Sequence, residues 1–221
     1  MLISIGSLLT FVRLKPKYTD YIISHIHQSS EHLKTTLLQI LAEPGHNKAI
    51  TSLHRLIKVP RESVKVKNQI LLTLGTLKQP ESLPIIFYCL QQDNASIRFH
   101  ALRALKAYTW ADDKLMDNGF SRYHLLELIR NMFREETSSK NNIIMVQLLS
   151  QIDHEHIIQF LIETLQQADE NLKPCVIQTI GHFSDPHIYY YLAPYLESDN
   201  AWIQAQSICS LWQFPSYRLE L

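Results

Sequence analysis

Residues 93–105 read Asp-Asn-Ala-Ser-Ile-Arg-Phe-His-Ala-Leu-Arg-Ala-Leu, and this stretch decides the fold. It opens on an Asp-Asn pair, and short polar side chains of this kind accept hydrogen bonds from the free amides of a helix's first turn. Apolar residues then recur at helical spacing. The opening string Asp-Asn-Ala-x-Ile returns at residues 199–203. The pattern therefore predicts the start of an amphipathic helix that the chain uses more than once.

This helix start recurs at a nearly constant interval. Its aliphatic opening position is occupied in order by Leu33, Val64, Ile97, Asn141, Leu172 and Ile203, at intervals of 31, 33, 44, 31 and 31 residues. The residue eight positions further on is always aliphatic: Leu41, Leu72, Leu105, Leu149, Ile180 and Leu211. A period of this size is typical of stacked-repeat proteins, in which each unit buries its apolar face against its neighbours.

A second break divides each repeat into two helices. Residues 78–80 and 184–186 lie about midway between successive openings, and each ends on Pro, which stops one helix and suits the first turn of the next. Alternating runs bounded by hairpin residues are missing, so strands are not expected. We predict an all-α fold, a right-handed α-α superhelix (a solenoid) of about five helix pairs, preceded by one helix near residues 18–28.

The predicted domains follow from the same pattern. Residues 1–30 form an N-terminal apolar segment and capping helix, and residues 31–221 form the repeat domain, with units beginning near residues 31, 62, 95, 139, 170 and 201. The long interval before Asn141 predicts an insertion near residues 108–120.

These residues resemble the HEAT repeat family, an armadillo-like group of α-solenoids, in particular its short bacterial form. The shared pattern is an acidic turn, an aliphatic residue followed by a basic one, and then small and aliphatic positions. It is clearest at Asp93, Ile97, Arg98, Ala101 and Leu105, and the resemblance covers about residues 31 to 214. The unit around Asn141 departs from it with a polar opening residue. The resemblance implies a helical solenoid, and members of the family serve mainly as binding scaffolds for unrelated partners.

Composition narrows the classes of function. Lys plus Arg equals Asp plus Glu at 21 each, which disfavours a nucleic-acid-binding protein, because that class usually has a basic excess. The three Cys, at positions 89, 175 and 209, have no paired spacing and are predicted to be reduced core thiols in a cytoplasmic protein.

Catalytic and metal-binding motifs are missing from the sequence. Gly occurs only at positions 6, 45, 75, 119 and 181, so neither a phosphate-binding loop nor a dinucleotide fingerprint can be built. The close His pairs include His25 with His27, whose side chains point to different faces of a helix. His154-Glu155-His156 falls at a turn and is interpreted as solvated rather than as a metal site. We predict no catalytic residues, no metal and no cofactor.

Enzymes with HEAT-like solenoids were weighed on their motifs. Deoxyhypusine hydroxylases have several His-Glu pairs on successive repeats, whereas this chain has one, His154-Glu155. DNA glycosylases of this architecture need a basic groove, which equal numbers of basic and acidic residues do not favour. No residue diagnostic of bilin lyases occurs in this chain. The sequence therefore predicts a non-catalytic protein–protein interaction scaffold or adaptor that is not an enzyme. The alternative is a cytoplasmic regulatory domain tethered to a membrane, and such a HEAT-type enzyme is the third hypothesis.

The expected partner is another protein or a peptide, and the candidate binding surface is a ridge on the inner helices. Counting back five residues from the last aliphatic residue of successive helices gives mostly apolar side chains that lie off the main apolar stripe. With two tyrosines at the rim, the candidate partner-binding residues are Ile85, Leu128, Phe160, Tyr190, Tyr191 and Tyr195. The competing interpretation is that these side chains pack against the next repeat.

The sequence also leads to predictions for both ends of the chain. Residues 1–14 are nearly uncharged and too short to span a bilayer, and the basic residues Arg13, Lys15 and Lys17 lie at their end or directly after it. Residues 1–17 are thus interpreted either as a cap on the first repeat or as a segment that contacts a membrane from the cytoplasmic side. At the other end, the last helix is expected to expose Trp202 or Trp212, which allows self-association there.

Overall fold

The computed structural model describes residues 18–43, 46–108, 110, 122–152, 156–183, 185 and 187–212. The chain divides into two compact units, residues 1–108 and residues 109–221. Helices account for the regular structure in both units, and no strand occurs among the described residues. The predicted all-α fold of paired helices is therefore confirmed. The predicted insertion lies almost wholly outside the described residues, as do residues 1–17.

Unit 1 contains three helix pairs in its described part. The helices are α1 (Thr19–Ile26), α2 (Glu31–Leu41), α3 (Ile50–Ile57), α4 (Val64–Leu77), α5 (Leu83–Leu90) and α6 (Ala95–Lys106). Helix α1 confirms the helix predicted near residues 18–28, and it packs against α2. The second helices of the pairs stack in series, because α4 packs against both α2 and α6. Unit 1 is thus a short array in which α2, α4 and α6 form one layer.

Unit 2 repeats this arrangement. Its helices are α7 (Arg122–Glu135), α8 (Ser139–Leu149), α9 (His156–Gln167), α10 (Lys173–Ile180), α11 (Ile188–Leu192) and α12 (Ala201–Leu211). Helix α10 packs against α8, α9 and α12, so α8, α10 and α12 form the corresponding layer. A 3₁₀-helix, Ala193–Glu197, follows α11 and packs against α12.

Polar contacts between successive second helices recur at about the repeat period. The Thr73 hydroxyl donates to the Leu38 carbonyl at 2.9 Å, and the Ser210 hydroxyl donates to the Ile177 carbonyl at 3.2 Å. Each of these four residues lies in the interface between two helices that both bury apolar faces. Since a buried hydroxyl without a partner is costly, these bonds let small polar residues lie where helix backbones come close.

The helix caps show in which repeat the predicted opening residue is wrong. Asn94 and Asn200 accept hydrogen bonds from the amides of Ile97 and Ile203, three residues on, as predicted. In α4 the same role belongs to Ser63, which accepts from the amide of Val66, not Val64. Val66 is fully buried, whereas Val64 is 38% exposed.

Val66 is therefore the true opening position of its repeat, two residues beyond the predicted Val64. The first two intervals become 33 and 31 residues. The position eight residues on becomes Leu74, which is fully buried, rather than Leu72, which is half-buried.

The basic residue after the aliphatic opening position acts as a donor to the preceding turn. The Arg98 guanidinium donates to the carbonyls of Gln92 and Asp93 at 2.8 and 2.7 Å. In the last repeat Gln204 occupies this position, and its amide donates to the Leu196 carbonyl at 2.8 Å. A donor rather than a positive charge is thus common to the two repeats, which explains why Gln can replace Arg.

Asn141, the polar opening residue that broke the pattern, is buried and hydrogen-bonded. Its Nδ2 donates to the Glu136 carboxylate at 2.8 Å, and the same carboxylate accepts from the Ser138 amide at 3.0 Å. Ser138 itself makes no side-chain cap on α8. Glu136 thus accepts from both the buried Asn141 Nδ2 and an amide at the helix start, so in this repeat a polar pair replaces an aliphatic residue and a cap.

Candidate functional site

A cleft of ≈ 690 Å³ opens in unit 2 where the C-terminal halves of two helices meet the turn before α10. Its lining combines aromatic, basic, acidic and amide side chains: Arg130, Phe133, Arg134, Asn142, Phe160, Glu163, Thr164, Gln167, Ala168, Asp169 and Leu172. Clefts of roughly 300–1,000 Å³ are typical of ligand-binding sites. Among the described residues, this cleft is the strongest candidate for a functional site.

Helical periodicity places these side chains on one side of each helix. Helix α7 contributes residues 130, 133 and 134, and helix α9 contributes residues 160, 163, 164 and 167. Residues three and four apart on a helix lie above one another, so each set forms a stripe facing the cleft. The cleft is therefore held by two regular helices.

Phe160 is at the centre of an aromatic cluster in this cleft. The ring of Phe133 packs edge-on against it, with ring centroids 5.8 Å apart. The guanidinium carbon of Arg130 lies 5.3 Å from the Phe160 centroid, within the range of a cation–π contact. These contacts hold Phe160 in place while its side chain stays only half-buried. The cluster offers a ligand an apolar surface next to a positive charge.

Arg130 has one donor that its surroundings leave unpaired. One terminal nitrogen lies 3.4 Å from the Glu127 carboxylate, and the other donates to the His156 carbonyl at 3.3 Å. Its Nε is buried and has no hydrogen-bond partner among the described residues. A buried N–H without an acceptor costs about 1–3 kcal/mol. The wall of the cleft therefore contains a buried donor without a hydrogen-bond partner among the described residues.

Asn142 provides a buried acceptor that complements the Arg130 donor. Its Oδ1 is buried and likewise lacks a hydrogen-bond partner among the described residues. It follows Asn141, whose Nδ2 is bonded to Glu136. Asn141 is thus bonded within the core through its Nδ2, whereas Asn142 lines the cleft with a buried acceptor.

Carboxylates balance the two arginines in the lining. Glu163 accepts a hydrogen bond from the Gln159 amide at 2.8 Å. Asp169 accepts from the Leu172 amide at 2.8 Å and so caps the start of α10. With two basic and two acidic side chains, the lining has no strong excess of either charge. It is thus suited to a ligand with paired donors and acceptors rather than to a polyanion.

The structure separates the candidate partner-binding residues of the sequence into several places. Phe160 lines the cleft, and Leu128 is half-buried in α7 on the same unit. Ile85 lies in unit 1 and is 4% exposed, so its side chain is part of the core there. Tyr190 and Tyr191 are 73% and 41% exposed on α11, and Tyr195 is half-buried in the 3₁₀-helix after it. The ridge itself stays a prediction, since Phe160 and Tyr191 are both partly accessible.

Sequence reasoning missed Phe133, Arg130 and Asn142. The first two had a signal, because residues 130–134 place two arginines four apart around an aromatic residue, an arrangement that shares one helix face. Asn142 had none, since its unpaired oxygen depends on how the turn before α10 packs against α8.

Among the described residues, the titratable groups whose pKa is shifted mainly by burial lie in unit 1. Burial lowers the pKa of His46, which is 2% exposed and lies 2.6 Å from the Thr19 hydroxyl. Burial, with Lys58 nearby, also lowers the pKa of His54. Burial raises the pKa of the Cys89 thiol to about 11 and raises that of Tyr108, whose hydroxyl donates to the Gln79 carbonyl. His46, Cys89 and Tyr108 are buried, His54 is half-buried, and none of the four lines the cleft. The prediction that Cys209 is a core thiol is wrong, because its side chain is exposed.

The described residues form neither a metal-binding cluster nor a membrane-spanning helix. No group of three or more His, Cys, Asp or Glu side chains in the described ranges could hold a metal ion, and the pair His154-Glu155 lies outside them. None of the helices formed by these residues has the length and apolar content needed to cross a membrane. The predicted membrane contact concerns residues 1–17, which lie outside the described part of the chain.

Comparison with known proteins finds likeness in structure and none in sequence. No family model matches the chain, and no curated protein matches it. Among solved structures, human deoxyhypusine hydroxylase in complex with glycerol is similar, with a TM-score of 0.44 and 16% sequence identity. The match covers 94% of this chain and 88% of that one. At this level of similarity, neither its substrate nor its activity transfers to this chain.

This comparison corrects the function predicted from the sequence. The resemblance to HEAT repeats and the missing catalytic motifs predicted a non-catalytic scaffold that is not an enzyme, yet a solved structure that the chain resembles is an enzyme. The prediction is therefore wrong as it stands. The scaffold role and the tethered regulatory role are both withdrawn.

Proposed function

We propose that unit 2 binds an extended peptide segment in the cleft between α7, α9 and the turn before α10. The observation that carries this proposal is the pair of unpaired buried atoms, Arg130 Nε and Asn142 Oδ1. A peptide backbone supplies both missing groups, because each residue offers one carbonyl acceptor and one amide donor. The carbonyl accepts from Arg130 Nε, and an amide of the same segment donates to Asn142 Oδ1.

The aromatic cluster supplies the apolar part of the same site. Phe160 and Phe133 present a half-buried surface beside the two polar atoms. An apolar side chain of the peptide packs there and is removed from water, while its backbone is hydrogen-bonded. The preferred ligand is thus an extended segment with a large apolar side chain, such as Leu or Phe, and little net charge.

Other ligand classes fit the lining less well. A nucleic acid needs an excess of basic side chains, whereas Glu163 and Asp169 oppose the two arginines. A purely apolar small molecule leaves Arg130 Nε and Asn142 Oδ1 unpaired in a cleft with less water. This raises the free-energy cost of burying the two atoms. A peptide satisfies both the apolar surface and the polar atoms.

We also infer that the chain is a repeat protein of the HEAT type. Supporting this are the repeated period near 31 residues, the helix pairs stacked through their second helices, and the donor at the position after the aliphatic opening residue. The cleft then lies at the turn between two successive repeats, where the side chains of three helices converge.

The test measures how tightly the wild-type chain and a variant at Asn142 bind a set of short peptides. Short blocked peptides with Leu, Phe, Lys or Asp at the centre of an Ala background are titrated against the full chain by calorimetry. We expect the Leu and Phe peptides to bind and the Asn142→Ala variant to bind them about tenfold more weakly, as expected for one lost hydrogen bond of about 1.4 kcal/mol. Its thermal stability should stay unchanged, since that oxygen has no hydrogen-bond partner among the described residues.

Two controls keep the result specific to the cleft. Tyr190→Ser removes an aromatic side chain that is 73% exposed on α11 and should leave peptide affinity unchanged. Phe160→Ser should weaken binding of the Leu and Phe peptides in particular. The proposal fails if none of the peptides binds, or if Asn142→Ala and Tyr190→Ser affect binding equally.

A further inference from the structure

The neutral charge of the whole chain conceals opposite charges in its two units. Residues 1–108 contain 14 Lys and Arg against 6 Asp and Glu, which gives a net charge of +8. Residues 109–221 contain 7 Lys and Arg against 15 Asp and Glu, which gives −8. An asymmetry of this kind between two halves of a chain indicates a polyanionic partner for the basic half. The cleft proposed to bind peptides lies in unit 2, so the basic excess belongs to a part of the protein that this proposal does not use.

A group of unpaired positive charges lies where α3 ends and α4 begins. Four basic side chains of this segment have no ion-pair partner among the described residues, and they are here called the basic corner: Arg55, Lys58, Arg61 and Lys67. The first three are exposed, and the last is half-buried. The corner is thus accessible to a ligand with several negative charges.

Acidic residues near the corner are already balanced. Glu62 is the one acidic residue between residues 55 and 67, and its carboxylate lies 2.6 Å from the Lys34 ammonium, with both side chains largely buried. Glu31 lies 3.7 Å from the ammonium of Lys65. Residues 1–17, outside the described part of the chain, contain three basic residues and no acidic one, so their charges add to the excess.

An exposed aromatic ring lies beside the basic corner. The Lys58 ammonium is 6.0 Å from the centroid of the Tyr88 ring, and Tyr88 is 47% exposed near the end of α5. Burial raises the pKa of the next residue, Cys89, and the positive charge of Lys67 opposes that rise, so Lys67 also lies close to this end of α5. Tyr88 is therefore near two cations of the corner while nearly half of its surface stays accessible.

We propose that the basic corner of unit 1 binds single-stranded nucleic acid. Phosphates of the strand contact Lys58, Arg61 and Lys67, and one unpaired base stacks on the ring of Tyr88. Cations that follow the backbone and an aromatic ring that stacks a base are the two elements of single-strand binding. In a duplex the bases are paired and stacked on one another, so they do not reach Tyr88. An acidic peptide uses the cations but supplies no flat base for the ring.

Fluorescence anisotropy of labelled strands added to the full chain tests both elements. The two probes are an oligo(dT) of about 12 nucleotides and an abasic strand with the same number of phosphates. We expect oligo(dT) to bind about tenfold more tightly, since stacking of one base is worth about 1.4 kcal/mol. For three phosphate contacts, the logarithm of the binding constant should fall with the logarithm of salt concentration with a slope of about −2.

Variants separate the ring from the charges. Tyr88→Ala should abolish the preference for oligo(dT) over the abasic strand, whereas Tyr88→Phe should keep it, because either aromatic ring stacks a base. Arg61→Gln should weaken both probes and make the salt slope shallower by about 0.7. Lys48→Gln removes an exposed cation just before the start of α3 and is the matched control, which should bind both probes like the wild type. Circular dichroism checks that each variant is folded.

Three results would overturn the proposal. The first is no binding of oligo(dT) at low salt, the second is equal affinity for oligo(dT) and the abasic strand, and the third is equal losses in Arg61→Gln and Lys48→Gln. Sedimentation velocity at low salt without nucleic acid tests the competing occupant. A monomer supports the proposal, whereas oligomers that Arg61→Gln dissolves would assign the corner to the acidic unit 2 of a second copy and overturn it.

Discussion

Gly75 in α4 and Ala104 in α6 bring two helix backbones into direct contact. A Cβ atom placed on Gly75 would lie 2.8 Å from the Ala104 Cα, closer than real Cβ atoms approach backbone. The equivalent pair in unit 2 is Gly181 and Ser210, where a Cβ would lie 2.6 Å from the Ser210 Cβ. Small residues at these positions set how closely the second helices of successive repeats stack.

Gly75→Ala should therefore destabilise unit 1, although Ala favours helices. The helix propensity gain is at most about 1 kcal/mol, whereas overpacking in a dense core costs about 1–3 kcal/mol. Gly75→Val should cost more, because it adds volume against the same backbone. Urea denaturation of both variants measures this, with exposed Thr76→Ala in the next position as the control. A Gly75→Ala variant more stable than wild type would contradict the close packing of α4 and α6.

The buried pair of Asn141 and Glu136 predicts a contrast between two neighbouring residues. Asn141→Ala removes the donor to Glu136 and should lower the free energy of unfolding by about 1–3 kcal/mol. Asn142→Ala removes an oxygen that has no partner in the described ranges and should change the free energy of unfolding by less than about 0.5 kcal/mol. Chemical denaturation of the two variants side by side makes the comparison. Equal losses would mean that Asn142 also supports the fold.

The donor after the opening position predicts which substitutions of Arg98 are tolerated. Arg98→Gln keeps an amide donor, as Gln204 does in the last repeat, and should have little effect on stability. Arg98→Leu leaves the carbonyls of Gln92 and Asp93 without this donor and should cost about 1–2 kcal/mol. Thermal unfolding distinguishes the two variants. If Gln and Leu were equally destabilising, the positive charge rather than the hydrogen bonds would matter here.

His46 predicts a loss of stability on mild acidification. Burial holds its pKa below the ordinary value of about 6.5, so the unfolded chain binds a proton more readily than the folded one. The contribution of this group to stability is complete above that value and is lost as the pH falls through the lower folded pKa. Urea midpoints measured from about pH 7.5 down to about pH 5 should fall, and His46→Gln should flatten the dependence. A variant with an unchanged pH profile would exclude His46 as a cause, with His54, whose pKa burial also lowers, as the next group to test.

The sequence predicted the fold well because the repeat is a local signal. Helix starts at Asn94 and Asn200 could be read directly, since their caps involve only the next three residues. The register of α4 was misplaced by two residues because Val64 and Val66 both suit a helix opening, and only packing distinguishes the exposed one from the buried one.

The candidate site was less accessible from sequence because it depends on contacts between repeats. Phe160 was identified through its position relative to the apolar stripe. The sequence could not show that Arg130 Nε and Asn142 Oδ1 are unpaired, because this depends on which atoms of α7, α8 and α9 face one another in the folded unit. The prediction of a non-catalytic scaffold rested on a family resemblance and on missing motifs, and neither is a sound basis for excluding an activity.

The most direct test of the peptide-binding proposal observes the Arg130 Nε–H itself. Its side-chain signal can be followed by ¹⁵N–¹H NMR, with Arg130→Lys used to assign it. When the Leu-centred blocked peptide is added to the full chain, the account predicts that this signal shifts downfield and exchanges more slowly with water, while the Nε–H signal of Arg103 in unit 1 stays unchanged. An Arg130 signal unaltered at peptide saturation would contradict the proposed site, even if the peptide bound elsewhere on the chain.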